Sequence, residues 1–192
     1  MTYDIEALRK KLKKELDHKR YRHTLGVMYT AASLAMAHGE DMHAAGVAGL
    51  LHDCAKCIPD KQKIKMCRER GMELSAYELE NPFMLHARLG AVLAREIYGV
   101  TEEGILSAIT WHTTGKPDMT RLEKIIFIAD FIEPWRDQAK NLAEVRPLAF
   151  KDLDECMYVI CRDTLTYLKE KGAQIDDMTA AACQYYQKLK ES

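Results

Sequence analysis

Residues 41–56 read DMHAAGVAGLLHDCAK, and this stretch indicates both the class of fold and the place of a site. Asp41 is a favourable N-cap, and the run of alanine and leucine after it is typical of a buried helix. The helix is expected to break down before Pro59, because proline cannot continue a helix interior. His52 and Asp53 then lie at a helix end, where two adjacent side chains can face one centre.

The rest of the chain also shows helical spacing of apolar residues, without the alternation that a strand would require. Helices are expected at residues 5–16, 21–38, 60–70, 85–98, 102–111, 124–132, 152–171 and 178–190. The expected end signals are N-caps at Asp4 and Thr101, a C-cap at Gly39, and a capping box formed by Thr120 and Glu123. We therefore predict an all-α protein with a single domain over residues 1–192.

The composition is that of an ordinary globular protein. Hydrophobic residues make up 47% of the 192 residues, charged residues make up 30%, and the net charge is −1. With a net charge so close to zero, the protein has no long-range electrostatic field that would attract nucleic acid or a membrane surface. The basic cluster at residues 19–22 could still contact an anion. The six cysteines lack a disulfide spacing, and Cys54-x-x-Cys57 lacks a second ligand pair for zinc. We expect free thiols and a cytoplasmic protein.

Four histidines and two aspartates recur inside or at the ends of apolar helical segments. They are His23, His52, Asp53, His86, His112 and Asp130. Imidazole nitrogens and carboxylate oxygens suit iron, manganese or a similar divalent metal. Asp130 follows an apolar run, so its burial requires a cationic partner, either a metal or a Lys or Arg side chain. Gly26 allows a close helix approach beside His23, whereas His18, His38 and His43 are expected at the surface.

Five stretches resemble the motifs of the HD-domain metal-dependent phosphohydrolases. They are RYRHTLGV at 20–27, LHDCAK at 51–56, HARLGA at 86–91, HTTG at 112–115 and ADFIEPWR at 129–136. In this order the stretches are similar to the YqeK family, the HD-type symmetrical bis(5′-nucleosyl)-tetraphosphatases. The resemblance implies an HD-domain helical bundle, with a motif-bearing core over residues 19–136 and C-terminal helices over residues 141–190.

The resemblance also implies an activity, the hydrolysis of diadenosine tetraphosphate to two ADP with iron bound. Manganese, cobalt or magnesium could replace iron. The expected ligands of one metal are His23, His52, Asp53 and Asp130, and a second metal or a phosphate would lie at His86 and His112. The expected catalytic residues are His52, Asp53 and Asp130. The expected substrate contacts are His23, Asp53, Lys56, His86, His112, Thr113, Asp130 and Arg136.

Two alternatives stay open at the level of the sequence. One is another HD-type phosphohydrolase or phosphodiesterase that acts on a nucleotide or a cyclic dinucleotide. The other is a non-catalytic module of the same fold that binds a nucleotide, although the complete set of ligand positions argues against it. The expected partners are the dinucleotide and its ADP product, with neither nucleic acid nor membrane, and a homodimer is one candidate assembly.

Overall fold

The computed structural model describes residues 2–137, 139 and 141–191, and every regular element in these ranges is helical. The α-helices are α1 (Ile5–Leu12), α2 (His18–His38), α3 (Met42–Leu51), α4 (Asp60–Glu69), α5 (Ala76–Glu80), α6 (Leu85–Glu96), α7 (Glu103–Trp111), α8 (Arg121–Ile132), α9 (Leu142–Ala149), α10 (Leu153–Glu170) and α11 (Asp177–Glu191). A 3₁₀ turn at Pro82–Met84 precedes α6. The predicted all-α fold is confirmed. Among the described residues, no helix is both long and apolar enough to cross a membrane.

Local capping explains where several of the helices begin and end. The Asp4 side chain accepts the backbone N–H of Ala7 at the start of α1. Thr120 and Glu123 form the predicted reciprocal capping box ahead of α8. Gly39 ends α2 in the left-handed region, with a φ of 66°, where glycine carries no steric penalty. These three signals were readable in the sequence and are confirmed.

Several helix boundaries differ from the predictions. Thr101 does not cap α7, whose N-cap is Glu102. The Tyr3 hydroxyl lies 3.5 Å from Thr101 Oγ1 and accepts the backbone N–H of Thr101 at 3.1 Å, so Thr101 contacts a residue distant in sequence. The short helix α5 was not predicted, although Ser75 and Glu78 form a capping box at its start. Helix α9 was not predicted as a separate element either.

Helix α3 lies in the core, and its packing positions the site. Every residue from Ala44 to Leu51 is buried. Gly49 allows α3 to pack closely on α2, because a Cβ atom at this position would lie 3.0 Å from the Met28 Cα atom. Helix α8 packs against α2, α3 and α7, while α10 covers α8 and α11 packs on α10. The C-terminal ends of α3, α7 and α8 therefore meet beside the first half of α2.

Candidate metal centre

Six predicted site residues converge at the meeting point of five helices. Helix α2 supplies His23, the end of α3 and the turn after it supply His52 and Asp53, α6 supplies His86, the end of α7 supplies His112, and the last turns of α8 supply Asp130. Helix α3 ends at Leu51, and residues 52–57 form turns. This is the predicted helix break, and it lets two adjacent residues face one centre.

Three of the four site histidines are oriented by the same local contact. In each of them, Nδ1 lies within hydrogen-bond distance of the carbonyl oxygen three residues earlier. The pairs are His52 with Gly49 at 2.7 Å, His86 with Phe83 at 2.6 Å and His112 with Ile109 at 2.7 Å. Because a carbonyl oxygen only accepts, each Nδ1 must carry the proton. Each Nε2 atom is then left as the nitrogen that can bind a metal.

His23 is oriented by a carboxylate rather than by a backbone carbonyl. Its Nδ1 atom lies 3.0 Å from Glu133 Oε1, just beyond the end of α8. Its Nε2 atom lies 3.0 Å from Asp130 Oδ1 and 3.7 Å from Asp53 Oδ2. The fourth imidazole therefore also directs Nε2 toward the two carboxylates of the site.

Asp53 lies between two pairs of histidines. Its Oδ2 atom is 3.4 Å from His52 Nε2 and 3.7 Å from His23 Nε2. Its Oδ1 atom is 3.3 Å from His86 Nε2 and 3.6 Å from His112 Nε2. One carboxylate thus offers a separate oxygen to each pair, which is the arrangement that a bridge between two neighbouring cation positions would need.

The donor set fits a divalent metal. Three buried site atoms have no hydrogen-bond partner among the described residues, namely His23 Nε2, His52 Nε2 and Asp53 Oδ1. Buried polar atoms are rarely left in this state unless they serve a ligand. Ligand atoms within 4.8 Å of one another come from two overlapping groups, His23 with His52 and Asp130, and His52 with Asp53 and His112. Nitrogen and oxygen donors without thiolate suit a first-row transition metal.

The protonation states of the inner site also suit a metal. Burial lowers the pKa of His86 to about 4 and lowers the pKa of His52, so both rings are neutral near pH 7. Burial opposes ionisation of Asp53, but His52, His112 and His86 hold the pKa of its carboxyl well below the ordinary value. Neutral imidazoles and an ionised carboxylate are the forms that coordinate a cation.

The imidazole of His23 carries a proton that a bound metal would displace. Burial alone would lower the pKa of His23, but the neighbouring carboxylates of Asp130 and Glu133 outweigh it and raise the pKa to about 9. Burial opposes ionisation of Asp130, yet His23 and Arg136 are among the groups that hold its pKa well below the ordinary value. A metal that takes His23 Nε2 as a ligand therefore releases a proton.

Three cationic side chains surround this centre. Arg136 Nη2 lies 2.8 Å from Asp130 Oδ1, which supplies the cationic partner that the sequence required. Lys56 Nζ lies 3.1 Å from His86 Nε2. Arg20 Nη1 lies 2.6 Å from Asp53 Oδ2, although only its basic cluster, and not this residue, was noted in the sequence. Fixed cations at a metal site can neutralise the oxygens of a phosphate.

An open cleft adjoins the centre. On the side of the metal centre, the cleft is lined by His112, Thr113, Thr114, Asp130 and Arg136, together with Phe127 and Phe131 from α8. Helices α10 and α11 close the other side with Ile160, Cys161, Thr164, Thr179 and Cys183. The C-terminal helices, to which no role was assigned from the sequence, thus form one wall of the approach to the candidate metal ligands.

Two other observations concern residues outside the predicted set. Cys54 is buried and Cys57 is exposed, and neither belongs to a metal-binding group among the described residues. Glu133 was not singled out, although it stands in the FIEPWR motif. Its signal was an acidic residue directly after a buried apolar helix, where a partner is required.

Comparisons with known proteins identify the family of the chain. The HD domain family matches residues 20–135. The symmetrical bis(5′-nucleosyl)-tetraphosphatase of Bacillus subtilis is 40% identical to the chain over 85% of its length and 87% of the relative. The protein of the same name from Halalkalibacterium halodurans is 39% identical over 94% of each chain.

A solved structure resembles the whole chain. It is the crystal structure of a predicted HD superfamily hydrolase involved in NAD metabolism from Clostridium acetobutylicum. The two share 38% sequence identity and superpose with a TM-score of 0.93, over 98% of this chain and all of the other. The chain therefore belongs to the HD-domain family and, within it, to the YqeK family of symmetrical bis(5′-nucleosyl)-tetraphosphatases.

Proposed function

We propose that this protein hydrolyses diadenosine tetraphosphate symmetrically, yielding two ADP, with a divalent metal held by His23, His52, Asp53 and Asp130. The position of Asp53 carries the proposal, because its two oxygens face two different pairs of imidazole Nε2 atoms. The relatives that bear this activity in their names cover most of the chain. A cytoplasmic location is part of the same proposal.

Iron is the metal that we propose, with manganese, cobalt or magnesium as replacements. A bound divalent metal supplies Lewis acidity toward a phosphate oxygen and lowers the pKa of water. Asp53 and Asp130 contribute the negative charge, while His23 and His52 contribute neutral donors from two packed helices. His86 and His112 either hold a second metal through their Nε2 atoms or donate to a phosphate.

Phosphate recognition is assigned to residues on the rim of the centre. Lys56, Arg136 and Thr113 carry donors beside the candidate ligands, and a dinucleoside tetraphosphate has about one negative charge per phosphate for them to neutralise. The leaving group of a central cleavage is a nucleoside diphosphate, which departs readily. We therefore assign no general acid.

The identity of the products tests the proposal. Metal-loaded protein incubated with diadenosine tetraphosphate should give ADP as the sole nucleotide product, because the bridge held at the centre is the middle one of a nearly symmetric chain. The measurement is chromatography of the products during the first turnovers. ATP together with AMP would reject the symmetrical assignment, and hydrolysis of a mononucleotide or a cyclic dinucleotide in preference would favour another HD-type activity.

Lys56 offers a test of phosphate binding separate from metal binding. Lys56→Ala should lower kcat/KM by about 10–150-fold, the worth of a hydrogen bond to a charged group. Its metal content should remain that of the wild type, since a charged ammonium cannot be a ligand. Thr113→Val should cost less, because a neutral donor contributes only about 0.5–1.5 kcal/mol.

The matched control for Lys56 is Lys65→Ala on α4, whose side chain is exposed and pairs with Glu69 at 3.7 Å. It should leave both kinetics and metal content unchanged. Loss of metal from Lys56→Ala would contradict the role of Lys56 in phosphate binding. It would indicate instead that Lys56 positions the imidazole of His86.

A further inference from the structure

We propose that Glu133 is a positioning residue of the metal centre, which fixes the imidazole of His23 and strengthens it as a ligand. The inference rests on the proposed metal-dependent function. Glu133 Oε1 lies 3.0 Å from His23 Nδ1, and Glu133 is only 2% exposed. The other three site histidines use backbone carbonyls for the same contact, so His23 alone is oriented by a charged acceptor.

The fold holds the carboxylate of Glu133 in place from several sides. The backbone N–H of Trp135 donates to Oε2 at 2.8 Å, which leaves Oε1 for the imidazole. Arg146 donates to the Glu133 carbonyl oxygen at 3.1 Å and to the Ile132 carbonyl oxygen at 3.0 Å, so the chain after α8 is tied to α9. Such a network restricts the carboxylate to one position.

Gly26 provides the space for this carboxylate. A Cβ atom at position 26 would lie 2.5 Å from Glu133 Oε2 and 2.9 Å from the Trp135 ring. Real Cβ atoms do not approach other heavy atoms so closely, so glycine at this position on α2 lets Glu133 reach the ring of His23, one turn away along the helix. Gly26 and Glu133 therefore act together to hold the His23 imidazole in place.

The charge of Glu133 has a consequence for metal binding. A carboxylate that accepts a hydrogen bond from Nδ1 fixes the tautomer of the ring. It also raises the basicity of Nε2 more than a backbone carbonyl would in the same position. Loss of such an outer contact typically lowers metal affinity by about 10–100-fold. Because His23 also contacts Asp130, a misplaced ring would disturb two ligands at once.

The test measures the affinity of metal-free protein for Co²⁺, by competition with a chelator, and records the visible absorption of the bound ion. Glu133→Gln keeps the size and one acceptor oxygen but removes the charge, and it should weaken binding by about 10-fold. Glu133→Ala should weaken binding by about 10–100-fold. Both variants should shift the absorption bands, because the field of one ligand has changed.

The matched control is Glu123→Gln. Glu123 is 1% exposed, lies in the first turn of α8, and accepts from Ser107 and Lys116, about 15 Å along the helix direction from Glu133 at the other end. This variant should be less stable than the wild type yet bind Co²⁺ with unchanged affinity and spectrum. Equal loss of affinity in Glu123→Gln, or wild-type affinity in Glu133→Gln, would overturn the positioning role.

A measurement on the wild type makes the test independent of whether the variants fold. Ring ¹⁵N–¹H spectra of the metal-free protein should place the Nδ1 proton of His23 farther downfield than those of the three histidines bonded to carbonyls. A His23 ring without a proton on Nδ1 would reject the inference. Failure of the proposed function would look different, since wild-type protein would then neither bind Co²⁺ at this centre nor cleave the dinucleotide.

Discussion

Replacing Asp53 with alanine is expected to lower the rate of diadenosine tetraphosphate hydrolysis by about 1000-fold or more, a loss of roughly 4 kcal/mol or more of transition-state stabilisation. The physical reason is that both oxygens of this carboxylate are committed, one to His23 and His52 and the other to His86 and His112. Its removal also takes from Arg20 the carboxylate that it contacts at 2.6 Å. Initial rates and metal content should be measured on the same preparation.

The control for this prediction is another residue of a type found in the site. His43 packs on Tyr3 and accepts its backbone N–H at 2.9 Å, well outside the centre. His43→Ala should therefore retain nearly the wild-type rate, with at most a small loss of stability. If His43→Ala or His18→Ala were as damaging as Asp53→Ala, the choice of ligands among the histidines would be wrong.

Removal of metal is expected to abolish hydrolysis, and its return should restore it. Three buried candidate ligand atoms of the centre have no hydrogen-bond partner within the part of the chain that the structure describes. A bound metal would satisfy these atoms. Iron, manganese and cobalt should restore more activity than magnesium, because magnesium prefers oxygen ligands and the centre is rich in imidazole nitrogen. Rates after exhaustive chelation, and after addition of each metal in turn, test this order.

The helices were largely predictable because their signals are local. Asp4, Gly39 and the Thr120 box act through neighbours within four residues, so the sequence alone contains them. Thr101 was predicted to cap α7 by the same reasoning, but its hydroxyl and its backbone N–H contact Tyr3, 98 residues away. A contact of that kind depends on the packed fold, and no local pattern reports it.

The residue types of the candidate centre were readable, but their pairing was not. Asp130 was predicted to need a cation, and Arg136 supplies one from within the same motif. The pairing of Arg20 with Asp53 joins α2 to the turn after α3, and it depends on how those elements pack. A close approach was predicted at Gly26 and is observed. The groups that approach Gly26 are the Glu133 carboxylate and the Trp135 ring, which follow α8, and not another helix.

The close packing of two helices illustrates the same limit. Gly49 is the glycine at which α3 meets the backbone of α2, at Val27 and Met28. Gly46 lies one turn earlier, and a Cβ atom there would make only an ordinary contact of 3.7 Å with Ile5. Both glycines stand in the same alanine-rich run, so the sequence could not distinguish the one that packing requires.

The most direct test of the account is metal content and turnover measured on one sample of wild-type protein, before chelation, after it and after reconstitution. Hydrolysis of diadenosine tetraphosphate to ADP is expected to rise and fall with the metal bound per chain. Asp53→Ala, folded but depleted of metal, is expected to stay inactive when metal is added at the same concentration. Full turnover in protein that elemental analysis finds free of metal would contradict it.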